Sequence, residues 1–171
     1  MNSLCIIPCG KRKIWDKFPD IGPTAAREVY SGPFAKKCKE YAEKFHPDSW
    51  IILSAKHGFL FPDDIVPGPY EVTFNKKSTN PVRINDLIKQ AKEKEISGYQ
   101  RFIVLGGKQY AAIACQVFAG KTVEAPVSGL SGLDEIMRRI KIATESNQSL
   151  TDQLLNNKVR SLCSIQPRRS K

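Results

Sequence analysis

The chain lacks any apolar run of the ~20 residues that a membrane-spanning helix requires. It also lacks the opening of a secretory leader: MNSLCIIPCGKRK places its cations after a short apolar stretch, where a signal peptide places them before. These absences exclude a membrane partner and lead us to expect a soluble, cytoplasmic protein. Histidine is scarce, with two residues. The five cysteines (Cys5, Cys9, Cys38, Cys115 and Cys163) are odd in number and scattered, without the paired CxxC spacing of a zinc site. No compact set of His, Cys and carboxylate ligands follows from this, so neither a metal nor another cofactor is expected, and reduced thiols are. Both common phosphate fingerprints, GxxxxGK[ST] and GxGxxG, are missing, as are internal repeats and low-complexity tracts. Acidic residues are the minority charge, 17 against 27 Lys and Arg, for a net charge of +10. That balance favours anionic partners, although a solvated basic surface produces it equally well.

What is present is enough for one core. Apolar residues make up 41% of the chain, too many for a disordered segment. Leu4–Pro8 reads as a buried strand stopped by Pro8 and Gly10, and Trp50–Ser54 and Arg101–Leu105 repeat the pattern. A short fourth strand is expected at Thr122–Ala125. Between them lie helical patterns at Ala25–Tyr30, from Pro33 to about Phe45, Val82–Ile96, Gln109–Phe118 and Leu133–Thr144. In the second helix, Phe34, Cys38, Tyr41, Ala42 and Phe45 share one face. In the last, Leu133, Ile136, Met137, Ile140 and Ala143 are expected inward. Ala55–Pro81 reads as a long irregular loop, a length that is uncommon in a compact domain unless functional. Short apolar strands alternating with helices predict an α/β domain over residues 1–145, with a mainly parallel sheet and helices on both faces, a Rossmann-like three-layer arrangement. Residues 146–171 read as a basic tail with a marginal helix around Leu150–Leu162.

In open α/β sheets, ligands bind at the carboxyl ends of the strands. Three predicted strand exits join small residues to lysine: Cys9-Gly10-Lys11-Arg12-Lys13, Ser54-Ala55-Lys56-His57-Gly58 and Gly106-Gly107-Lys108-Gln109-Tyr110. The fourth, Ser128-Gly129-Leu130-Ser131-Gly132, precedes a helix, whose free N–H groups and dipole favour an anion. If the strands are parallel, one rim carries an anion-binding cleft. His57 is the candidate for proton transfer, with Asp63 or Asp64 to orient it or act as base, against the alternative of a turn histidine bonded to backbone. Cys9, beside lysines, is a candidate nucleophile or a buried structural thiol. Tyr70 and Glu71, after the rigid Pro67-Gly68-Pro69, could meet a base and a sugar, or anchor the loop. Arg12, with Lys158, Arg160, Arg168 and Arg169 of the tail, forms the basic set suited to nucleic acid.

The ordered set CGKRK, EVYSGPFAKKCKEYAE, WIILSAKHGFLFPDD…PYE, VLGGKQYAAI and PVSGLSGLDEIM resembles a family of uncharacterised bacterial and phage proteins. That family is distantly similar to the YaaA peroxide-stress proteins. The likeness spans about residues 4–140, and SAKHG with the following Pro-Asp and Pro-Tyr is its most specific part. It implies an α/β fold and a common pocket at Cys9, Lys11, Lys13, Tyr30, Ser31, Lys56, His57, Gly58, Asp63, Tyr70, Gly106, Gly107 and Tyr110. YaaA-like proteins are associated with DNA binding and oxidative-stress protection. This chain is shorter than they are, and no helix–hairpin–helix element is legible in it.

Three functions fit these residues. The first is an enzyme directed at a nucleotide or a nucleic-acid base, by hydrolysis or transfer at a glycosidic or phosphoryl centre. Lys11, Lys13, Lys56 and Lys108 would hold anionic oxygens, with Gly58, Gly106, Gly107, Tyr70, Tyr110, Ser128 and Ser131 around the ligand. The second is a non-catalytic DNA-binding protein, the third a small-ligand module. The enzyme leads because imidazole, carboxylate, thiol and cations gather at one expected rim.

Overall fold

The computed structural model describes residues 2–152. Its strands are β1 (Ser3–Pro8), β2 (Thr24–Ala25), β3 (Trp50–Ser54), β4 (Gly58–Leu60), β5 (Ile65–Val66), β6 (Arg101–Val104) and β7 (Thr122–Glu124). Its α-helices are α1 (Ala26–Val29), α2 (Pro33–Phe45), α3 (Ile84–Glu93), α4 (Lys108–Val117) and α5 (Leu133–Ser146). Five strands form one sheet in the order β4-β3-β1-β6-β7, and β2 pairs with β5 in a small antiparallel ribbon. The pairs β1/β3, β1/β6 and β6/β7 are parallel, and β3/β4 is antiparallel. The expected α/β class with a mainly parallel sheet is what the chain adopts.

The apolar strands are continuous because both faces are covered. Cys5 and Ile7 of β1, Trp50 and Ile52 of β3, and Ile103 of β6 turn to the face where α2 and α5 pack. Their neighbours Leu4, Ile6, Ile51, Leu53, Phe102 and Val104 turn to the core shared with α3 and α4. On α2 the predicted stripe is seated, with Cys38, Tyr41 and Ala42 fully buried and Phe34 and Phe45 packed against them. On α5, Ile136, Ile140 and Ala143 are buried, whereas Leu133 is 51% exposed. The expected inward position of Leu133 fails because it opens the helix, a turn short of the core.

The stretch expected as an irregular loop contains β4 and β5. Gly58, at φ 72°, reverses the chain after β3, and Phe59 and Leu60 return antiparallel along the sheet edge. The left-handed backbone favours glycine there. Helix α3 starts later than the pattern suggests because Arg83 is extended, at φ −86° and ψ 156°, and stands as its N-cap, while the Val82 N–H before it donates to the Ala55 carbonyl at 2.8 Å. It also ends earlier, where Glu95 takes φ 60° and a 3₁₀ turn follows at Ile96–Gly98.

After α5, Leu150 joins the α2 side of the core and its N–H donates to Tyr41 Oη at 3.0 Å. The described part of the expected tail is thus docked on the α/β body. Lys158, Arg160, Arg168 and Arg169 lie outside the described residues, as does most of the marginal helix expected there. Cys5, Cys9 and Cys38 are free thiols. Among the described residues, no helix is long and apolar enough to cross a membrane.

Candidate functional site at the strand exits

The strand order fixes where a cleft can lie. From β1 the chain steps to β3 on one side, then returns past β1 to β6 on the other. Connections diverge at such a switch point and leave a crevice at the carboxyl ends. Cys9 follows β1 and Tyr110 sits in the first turn of α4 after β6, and they meet there, Sγ to Oη at 3.3 Å. Gly106 permits the approach: a Cβ at that position would overlap the Cβ and Cγ of Tyr110.

Beside this pair, the β3 exit builds a hydrogen-bonded cluster. Ser54, a hydroxyl with no exposure, closes the apolar strand. Its Oγ accepts the N–H groups of Lys56 at 3.3 Å and His57 at 3.1 Å, which shapes the turn. With both lone pairs engaged, its proton goes to Tyr70 Oη at 2.8 Å. Tyr70 Oη also bonds Tyr30 Oη at 2.6 Å. That bond consumes one phenol proton, whichever ring donates, and the other has no acceptor within the cluster. Burial raises the titration of both phenols, so both stay protonated at neutral pH.

Two ammonium groups converge on the Tyr70 ring. Lys13 Nζ lies 4.3 Å from its centroid and Lys56 Nζ 5.6 Å. Lys13 is buried at 7% exposure and donates to the Lys11 carbonyl at 3.1 Å. Its backbone is held by Asp16 Oδ2, which accepts the Lys13 N–H at 2.9 Å, and by a bridge to Tyr30. Trp15 anchors the same turn through Nε1 to the Gly22 carbonyl at 2.8 Å. Burial lowers the pKa of Lys13, against the opposing fields of Cys9, Asp16 and Glu71. A desolvated lysine of this kind can hold an anion when charged or act as a nucleophile when neutral.

His57 meets the edge of Tyr70 with ring centroids 5.1 Å apart. Its Nε2 is buried without a hydrogen-bond partner in the described structure. Burial, and then the Lys56 charge, lower its pKa, so the imidazole is neutral near pH 7 and can accept a proton. Gln90 of α3 grips the turn from behind: its Nε2 donates to the His57 carbonyl at 2.9 Å, and its Oε1 accepts the Phe59 N–H at 2.6 Å.

The rim thus gathers Cys9, Lys13, Lys56, His57, Tyr70 and Tyr110, with Gly58 and Gly106 shaping the backbone. It does not gather every expected residue. Asp63 is bound to Arg27, at 2.9 Å from Nη2, with 85% of its side chain exposed. Asp64 is taken by Lys94 at 2.7 Å and by the Phe61 N–H at 2.8 Å. The expected His57–Asp63 pairing is corrected: the short ribbon of β2 and β5 turns these carboxylates towards Arg27 and Lys94. Tyr70 is 8% exposed, so its ring serves as a floor for ammonium groups, and a base does not stack on it. Lys11 and Lys108 are exposed, as is Ser131; Gly107 caps α4, and Ser128 Oγ donates to the Ala125 carbonyl at 2.9 Å. The start of α5 carries Asp134 and Glu135, which already complement the helix dipole, so it is a poor phosphate seat. Among the described residues, no group of three or more His, Cys, Asp or Glu side chains could hold a metal ion.

Sequence reasoning gave Ser54 no role of its own, although a serine closing an otherwise apolar strand was a signal. It also missed Arg27, Lys36 and Lys39. Together with Arg12, Lys13, Lys17, Tyr30 and Ser31, they line a cavity of about 460 Å³ beside the cluster. Nothing in local spacing brings these segments together.

The comparisons with known proteins bear on this geometry. A family model described as a family of unknown function (DUF6884) matches residues 4–141, from β1 into α5. A Bacillus subtilis (strain 168) protein with the name "Uncharacterized protein YfjM" is 41% identical over 151 residues, which cover 88% of this chain and all of that protein. No solved structure matches the chain. Since the matched segment carries the whole sheet and the strand-exit cluster, the chain belongs to the DUF6884 family.

Proposed function

We propose that the strand-exit cluster is a nucleotide-directed active site, acting by hydrolysis or transfer at a glycosidic or phosphoryl centre. The observation that carries this reading is the convergence of the Lys13 and Lys56 ammonium groups over Tyr70, beside a neutral imidazole whose Nε2 is buried and unbonded. Lys13 and Lys56 hold anionic oxygens, and in a half-buried cleft such contacts are stronger than on an open surface. His57, kept neutral by burial and by Lys56, takes a proton from the attacking group. The phenol proton left over from the Tyr30–Tyr70 bond is a hydrogen-bond donor for a developing negative charge. A distant likeness to the YaaA proteins adds DNA to the candidate nucleotide sources.

The test is ligand-induced thermal stabilisation by nucleosides, nucleotides and short DNA, followed by product analysis for any ligand that binds. We expect a nucleotide to raise the Tm of the wild type, with the shift lost in Lys56→Ala. His57→Ala should retain binding and lose turnover by about 100-fold or more, the usual contribution of a general base. If DNA alone binds, steeply salt-dependent and indifferent to Lys56 and His57, a non-catalytic DNA-binding role replaces this reading.

A further inference from the structure

The 460 Å³ cavity next to the cluster is walled by Lys13 and Tyr30, the two residues it shares with the proposed active site. Its other cations are Arg12, Lys17, Arg27, Lys36 and Lys39, against the carboxylates Asp16 and Glu28. Arg27 is engaged by Asp63 and Glu43, and Lys39 by Glu28. Among the described residues, no carboxylate forms an ion pair with Arg12, Lys17 or Lys36. Lys13 is the telling member. It is 7% exposed, and among the described residues its three ammonium donors find one hydrogen-bond acceptor, the Lys11 carbonyl, besides the face of the Tyr70 ring. A buried charge so sparsely satisfied is costly unless an anion completes its coordination. The cavity exceeds the volume of a single phosphate and lies within the ordinary size range of small-molecule sites. At its lip, Phe18 is 50% exposed with the Lys17 ammonium 5.3 Å from its ring, a pairing of aromatic and cation that suits a nucleobase next to phosphate.

We infer that this cavity is a second subsite, which takes two or more consecutive phosphate groups of a ligand whose reacting part lies at the strand exits. The inference rests on the nucleotide reading above and narrows it to phosphate-rich substrates: a nucleoside di- or triphosphate, or a single-stranded nucleic acid. Arg12, Lys17 and Lys36 hold the outer phosphates, and Lys13, at the shared wall, bridges the two subsites.

The test measures binding of inorganic pyrophosphate, a nucleoside diphosphate, the matching nucleoside and a short oligothymidylate by titration calorimetry at low salt. The proteins are wild type, Lys56→Ala, and the double variant Arg12→Ala/Lys36→Ala. Arg12 and Lys36 are exposed, so the double variant should keep the wild-type Tm, and it is used in place of the buried Lys13. Pyrophosphate should bind wild type and Lys56→Ala alike and bind the double variant at least tenfold more weakly, as befits the loss of two charge-assisted contacts. A nucleoside diphosphate that competes with pyrophosphate more strongly than the oligonucleotide marks a free nucleotide; the reverse order marks a nucleic-acid backbone. No pyrophosphate binding, or binding unchanged in the double variant, overturns the inference. Nucleotide binding that depends on Lys56 but ignores Arg12 and Lys36 overturns it while the nucleotide reading stands. Pyrophosphate binding lost in the double variant, with every nucleotide failing to bind, supports the cavity and overturns the nucleotide reading.

Discussion

Replacing Ser54 with alanine tests whether the cluster is a connected unit. Ser54 has no solvent exposure and anchors three groups: Tyr70 Oη at 2.8 Å, and the N–H groups of His57 at 3.1 Å and Lys56 at 3.3 Å. Tyr70 keeps its bond to Tyr30, so the lost donor alone costs about 1 kcal/mol. The two N–H groups lose their acceptor, and a buried unsatisfied donor costs about 1–3 kcal/mol, less where water reaches it. Lys56 is exposed and its N–H recovers part of that loss; His57 is half-buried and recovers less. The expected total is about 2–3 kcal/mol, or a Tm lower by about 5–10 °C for a chain of this size. Urea unfolding reads it directly, as a lower midpoint with an unchanged m-value. Ser78→Ala, on an exposed turn, should stay within about 0.5 kcal/mol of wild type. A double-mutant cycle with Tyr70→Phe should show coupling above about 0.5 kcal/mol. If Ser54→Ala costs no more than Ser78→Ala, the hydroxyl does not organise the turn and the description of the cluster is wrong.

Two further predictions concern the same turn. Gly58→Ala places a side chain at φ 72° and drives its Cβ into the Gln90 amide, which holds the His57 carbonyl and the Phe59 N–H. We expect a loss of about 2–3 kcal/mol from strain and broken bonds, read by urea unfolding, and no measurable loss would refute the Gln90 clamp. His57 and His46 both have pKa values lowered by burial, the first also by Lys56 and the second by Arg101. The unfolded chain therefore binds protons more readily once the pH falls below the ordinary histidine value of about 6.5. Stability should be flat above that value and decline as the pH drops through it towards the folded values. His57→Gln should flatten part of the decline between about pH 7 and 5 in a Tm series, and an undiminished slope would show that the imidazole is not desolvated as described.

The sheet was legible because its strands are apolar on both faces and punctuated by Pro8, Ser54 and Gly106; Trp50–Ser54 and Pro33–Phe45 are found where the pattern put them. What was not legible depends on partners far along the chain. β4 continues an apolar segment whose reversal rests on Gly58 and on Gln90, more than thirty residues away. Val82 reads as the start of a helix, yet the chain is still extended at Arg83, with the Val82 N–H paired to the distant Ala55. At the site, residue types at each exit were visible, and some of them meet: Cys9 reaches Tyr110, and Lys13, Lys56 and His57 reach Tyr70, whereas Lys11, Lys108 and Ser131 are exposed. The partner of each charge was not: Asp63 follows SAKHG closely in sequence, yet the β2–β5 ribbon delivers it to Arg27.

The Gln90 clamp has a further consequence. The backbone carrying His57 is fastened by α3, which belongs to one covering layer of the sheet, while Tyr30 and the neighbours of Lys13 are seated against the core of the other. Neither layer alone can assemble the constellation. Shedding α3 would release the Gln90 hold on the His57 turn, and shedding α2 would open the core in which Tyr30 is seated. Ligand binding of the proposed kind would thus report the docking of both layers, and its affinity in mild denaturant should vanish at the first layer to detach, ahead of the loss of bulk secondary structure.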